Sequence, residues 1–107
     1  MARDHLGEFE HIVLLAVLRL GENAYGVPIR REITKRTHRE LTVGSLYATL
    51  DRLETKRLLA SRTGEPTPER GGRSKRYFRV TAPGLRALRE SREAMNAMWE
   101  GLEPYGA

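Results

Sequence analysis

Apolar positions recur with helical spacing in four stretches of this chain and with strand alternation in two. The first stretch, Glu8 to Leu20, holds Ile12-Val13-Leu14-Leu15-Ala16-Val17-Leu18, which is apolar almost all round. A surface helix would show only an apolar stripe. This pattern predicts a helix covered on most sides, by its own domain and by a second subunit. Gly21 stops it, and Glu22-Asn23 forms the turn. A second helix is predicted from Gly26-Val27-Pro28 to about Thr37, with Pro28 in a first turn, where a missing N–H does no harm. Val27, Ile29 or Arg30, and Ile33 give its inner face, while Arg30, Arg31, Lys35 and Arg36 line the outside.

The third helix is predicted from Thr42, a good N-cap, to about Lys56. Val43, Leu46, Leu50 and Leu53 fall at i, i+3, i+7 and i+10 and make its core face. Tyr47 sits at the edge of that face. Ser45, Ala48, Thr49, Arg52 and Lys56 occupy the opposite arc. Gly44 and Ala48 are poor choices for a face that only has to stay in water, whereas small side chains allow close approach to another surface. Leu58 to Thr63 and Lys75 to Val80 read as strands. Gly64, Pro66, Pro68, Gly71 and Gly72 between them cannot continue a strand, so the connection is an exposed loop. Thr81 caps a last helix with Pro83 in its first turn. Leu85, Leu88, Met95, Trp99 and Leu102 form its apolar seam, and residues 103–107 are expected to fray.

The expected fold is therefore α+β and mostly helical: a helix-turn-helix, a two-stranded wing, then a terminal helix. Residues 1–81 would form one unit, and residues 82–107 a dimerisation helix and tail. At 107 residues the chain is large enough for one modest core.

Charge sharpens this picture. Fourteen Lys or Arg lie between Arg30 and Arg79 against six Asp or Glu, a local charge of +8, while the rest of the chain carries −3. Positive charge is thus concentrated on the elements that would face a polyanion. The pI near 10.1 points to nucleic acid or an anionic membrane surface. No apolar run approaches the ~18 residues that span a bilayer. Arg3 is followed by Asp4 and Glu8 with no cleavage-like site, so no signal peptide is expected. The absence of Cys excludes disulfides and thiolate metal sites, and the cytoplasm is the default compartment.

The third helix has the chemistry to read base edges. A major groove about 12 Å wide admits one helix, and the N-terminal half does the reading. Thr42, Ser45 and Thr49 can donate and accept there, and Ala48 can touch a thymine methyl. Tyr47 would be half core with its hydroxyl free for a phosphate. Arg52 and Lys56 would meet the backbone. Arg70, Arg73, Lys75 and Arg76, four cations within seven residues at a loop tip, favour phosphate or minor-groove contacts over a merely solubilising role. The bland alternative for the helix is an ordinary solvated face.

Other chemistry finds little support. His5 and His11 are six apart, which is not one helix face, and His38 stands alone, so these read as unrelated surface histidines. No catalytic constellation follows from the spacing, which argues against a small basic enzyme. Gly71-Gly72 lies in a hairpin and not before a helix, so it is no nucleotide cradle. No cofactor is expected. Trp99, the sole Trp, has two readings: dimer core, or, with Met95 and Met98 beside it, an adaptable ligand surface.

Gly44-Ser45-Leu46-Tyr47, then Leu50, Arg52-Leu53-Glu54 and Leu58, followed by Gly72-Arg73-Ser74-Lys75-Arg76-Tyr77-Phe78-Arg79-Val80-Thr81 and Gly84, resembles the PadR family of bacterial transcriptional regulators. Ala24-Tyr25-Gly26 also matches, and the likeness covers roughly residues 8–90. The resemblance implies a winged helix-turn-helix homodimer of the short subgroup, without a long C-terminal domain. It implies that residues 42–56 enter the major groove, that residues 64–75 form the wing, and that Tyr25 joins the DNA-facing set. It further implies dimerisation through the last helix, repression at a near-palindromic operator, and release by an aromatic small-molecule effector. A winged helix that binds RNA or a protein is the competing reading.

Overall fold

The computed structural model describes residues 5–66 and 74–106. Helix α1 spans Glu8–Leu20 and leads through a 3-10 turn, Gly21–Asn23, into α2, Gly26–Thr37. Helix α3 spans Val43–Thr55, strands β1 and β2 span Leu59–Pro66 and Ser74–Val80, and α4 spans Ala82–Trp99. A second 3-10 turn, Glu103–Tyr105, stands where fraying was expected.

Caps account for the helix starts. The Thr42 hydroxyl oxygen accepts from the Ser45 N–H at 3.0 Å. The Thr81 oxygen accepts from the Gly84 N–H at 3.1 Å, and its hydroxyl donates to the Arg57 carbonyl at 2.7 Å. One side chain thereby starts α4 and ties it to the α3–β1 corner.

Helices α1, α2 and α3 enclose a core of Val13, Leu14, Val17, Ile29, Ile33, Leu46, Leu50 and Leu53. Leu58, Leu59 and Phe78 close it from the sheet, and Leu88 closes it from α4. The Phe78 N–H donates to the Ala24 carbonyl at 2.8 Å, which fastens β2 to the entry of α2. Two glycines permit close approaches: a Cβ on Gly26 would overlap the Tyr47 hydroxyl, and one on Gly84 would overlap the Leu58 carbonyl.

The strands are antiparallel, with Leu59 opposite Val80 and Thr63 opposite Arg76. Three expectations fail here. Strand β1 does not stop at Thr63: it runs through Gly64 to Pro66, with a register irregularity between Thr63 and Pro66 that absorbs the poor strand formers. Val43 and Val27 are not core: they are 52% and 53% exposed, because both lie in first turns at the open groove between α3 and α2, and Leu46 and Ile29 take the first inward positions. The molecule measures 54 × 34 × 22 Å. Helix α4, roughly 27 Å long at 1.5 Å per residue, buries only Gly84 and Leu88.

Candidate nucleic-acid interface

The N-terminal half of α3 is open to solvent at Thr42, Val43, Gly44, Ser45 and Ala48. A groove of about 740 Å³ runs between α3 and α2, lined by Val27, Arg30, Arg31 and Lys35 from one side and Val43 and Tyr47 from the other. The Arg30 guanidinium donates to the Leu41 carbonyl at 2.9 Å and so braces the turn between the two helices. Small and apolar groups on one wall, with cations on the other, suit a polyanion whose bases face α3.

The hydroxyls on α3 are drawn inward. Ser45 donates to the Thr42 carbonyl at 3.1 Å. Thr49 donates to the Ser45 carbonyl at 3.0 Å and is only 3% exposed. The expected place of Thr49 on the outer arc is therefore corrected: a residue three beyond Leu46 and one before Leu50 turns toward α1. Tyr47 is half-buried with its hydroxyl against Gly26.

Two expected backbone cations have partners inside the protein. Glu10 is 6% exposed, and its carboxylate takes the Arg52 guanidinium at 3.1 Å, the Lys56 ammonium at 3.0 Å and the Gly7 N–H at 2.8 Å. Burial pushes the Glu10 pKa up, but the Gly7 N–H, Lys56 and Arg52 outweigh it and leave the pKa below the ordinary value of 4.5. Arg52 keeps about half its surface in water, so it can still reach outward.

Arg76 also has partners inside the protein. It was expected among the wing cations, yet it bonds Asp51 at 2.8 Å and also Glu54, both on α3. The Asp51 and Glu54 bonds raise its pKa, against the opposing effect of burial. Ser61 donates to Glu54 at 2.6 Å, and this bond together with Arg76 holds the Glu54 carboxyl below its ordinary range. The cluster joins α3 to both strands. It neutralises Arg76 and leaves less positive charge for a partner.

At the base of the wing, Lys75 lies over the Tyr25 ring at 4.6 Å, and Tyr25 meets Tyr77 edge-on at 5.3 Å. Arg62 covers Tyr77 at 4.7 Å. This alternation of cation and ring holds Lys75 and Arg62 against the sheet. Arg70 and Arg73 lie outside the described residues.

Helix α4 divides the expected seam. Leu88 is 6% exposed and belongs to the domain's own core, a correction to its place on the dimer surface. Its position follows from the Thr81 cap, which sets the first two turns of α4 against the domain. Leu85, Met95, Met98, Trp99 and Leu102 are exposed, as are Leu15 and Leu18 on α1. Trp99 borders an open hollow with Glu93, Glu100 and Glu103. His11 and Ser91 are 2.9 Å apart and join α1 to α4.

Among the described residues, no group of three His, Asp or Glu could hold a metal ion, and no helix is long and apolar enough to cross a membrane.

The sequence reading gives Arg52, Lys56 and Arg76 no partners within the fold, and the structure gives each of them carboxylates. A signal did exist. Glu10 is an acid beside a run of apolar residues, and a buried acid needs cations, which Arg52 and Lys56 supply from one face at four-residue spacing.

Three helices, a helix-turn-helix with an open third helix, and a two-stranded wing define a winged helix-turn-helix DNA-binding protein. The model of the transcriptional regulator PadR-like family matches residues 14–90, and the chain belongs to that family. An uncharacterized protein of Lysinibacillus sphaericus is 30% identical over 106 residues, covering 91% of this chain and 93% of that one. Among solved structures, a PadR family transcriptional regulator of Eggerthella lenta superposes with a TM-score of 0.66 at 28% identity, over 92% of this chain and 85% of that one. A PadR family transcription regulator of Clostridium difficile R20291 superposes with a TM-score of 0.72 over 92% and 99%. Its identity is 20%, so it speaks for the fold alone.

Proposed function

We propose that this chain is a repressor that binds a near-palindromic operator as a homodimer. Helix α3 enters the major groove, and the hairpin, residues 64–75, reaches the flanking backbone. The observation that carries this reading is the open N-terminal half of α3 beside the cationic groove of α2. The exposed seam of Met95, Trp99 and Leu102, with Leu15 and Leu18, supports pairing of two chains through residues 82–107 and α1. Trp99, flanked by Met95 and Met98, also supports release by a flat aromatic effector held at the joint. Lys75 and the loop cations Arg70 and Arg73 would meet phosphate.

Selection of bound sequences from a random duplex pool, followed by footprinting, tests this. The expected result is an enriched inverted repeat with half-sites about one helical turn apart. Retention of single-stranded RNA in place of duplex DNA would favour RNA recognition instead. Enrichment of an unrepeated site would overturn the dimer.

A further inference from the structure

The surface that α3 offers to a base edge is mostly apolar. Of the hydroxyls near the helix start, Thr49 is buried, Tyr47 is half-buried against Gly26, and Thr42 and Ser45 each use one hydrogen bond inside the first turn. Thr42 accepts from the Ser45 N–H, Ser45 donates to the Thr42 carbonyl, and Thr49 is buried while donating to the Ser45 carbonyl. The exposed remainder of the first two turns is Val43, Gly44 and Ala48. Val43 is half exposed in a groove lined by Arg30, Arg31 and Lys35 together with Val27, Leu41 and Glu40. A branched apolar side chain among solvated cations gains nothing from water. It gains from contact with an apolar group carried by a polyanion.

DNA offers one such group in its major groove, the C5 methyl of thymine. We infer that Val43 reads a thymine methyl, so that apolar contact contributes to the specificity of each half-site beside the exposed hydroxyls of Thr42 and Ser45. Gly44 and Ala48 let the helix backbone come close enough for the short Val43 side chain to reach. The cations of α2 hold the adjacent phosphates. This inference rests on the proposed binding of duplex DNA by α3.

The probe is the duplex enriched by the pool selection, with thymine replaced by uracil one position at a time. Uracil keeps the base pair and lacks the methyl. Each contacted methyl should be worth about fourfold in affinity, the worth of one buried methylene. For the wild type, one or two positions per half-site should lose that factor. Val43→Ala should lose about as much on the thymine duplex and show no further loss at the matching position. Val43 is exposed, and Ala favours helix, so the thermal midpoint of Val43→Ala should match the wild type and serves as the folding control.

A wild-type protein that selects a sequence yet tolerates uracil everywhere within twofold overturns the inference and leaves the proposed function standing. So does a Val43→Ala variant that keeps every uracil penalty. If the pool yields no enriched duplex, the proposed function fails and the inference fails with it.

Discussion

Arg76 on β2 reaches Asp51 on α3 at 2.8 Å, and the same guanidinium also holds Glu54 one turn further along. The wing and the recognition helix are therefore coupled by a side chain whose charge is spent inside the protein. Arg76→Ala should lower the thermal midpoint by a few degrees, consistent with about 1 kcal/mol for a partly exposed network. Lys75→Ala removes a contact over the Tyr25 ring, so it should lower the midpoint less than Arg76→Ala, and it should reduce the slope of log affinity against log salt by about 0.9. A scanning melt and a salt titration separate the two roles. Equal melting losses for both variants would remove the distinction.

Acid should destabilise the fold in two stages. Burial holds the His11 pKa below its ordinary 6.5, so the unfolded chain takes up that proton first and stability falls as pH drops through 6.5 toward the folded value. The folded pKa values of Glu10 and Glu54 are lowered, so their contribution is complete above 4.5 and is lost as pH falls through the folded values. Urea melts between pH 7 and 3 should show both declines. His11→Gln should erase the upper one and keep the lower.

Arg57 has φ of +63°, in the left-handed region. That conformation costs a non-glycine residue roughly 1–2 kcal/mol, part of which is offset by the greater freedom of glycine in the unfolded chain. Arg57→Gly should stabilise the protein by about 0.5–1 kcal/mol. Arg57→Ala should not, because it keeps the Cβ. Denaturant midpoints compare the three chains directly.

Leu88 and Trp99 lie on the same helix and should fail differently. Leu88→Ala opens the domain core and should cost about 2–5 kcal/mol of unfolding free energy. Trp99→Ala removes an exposed ring, so its effect should appear in sedimentation as a shift toward monomer. A Trp99→Ala chain that sediments and binds operator DNA like wild type would sink the paired-chain mechanism.

The periodicity of this chain carried the helices, the caps and the sheet. Thr42 and Thr81 announced two helix starts, and the Leu46, Leu50 and Leu53 spacing announced the core face of α3, because these depend on local geometry repeated every few residues. Residues 14–90 also carried the family likeness, since a motif is a local pattern. Only the tertiary structure decided the fate of the cations. Arg52 and Lys56 turn to Glu10, forty-odd residues earlier in the chain, and Arg76 turns to α3. A count of charge cannot tell an ion pair across the fold from a free cation on its surface. The same holds for Val43, Thr49 and Leu88. Each sits near the edge of an apolar stripe, where helix period alone cannot say whether a neighbouring element extends far enough to cover it.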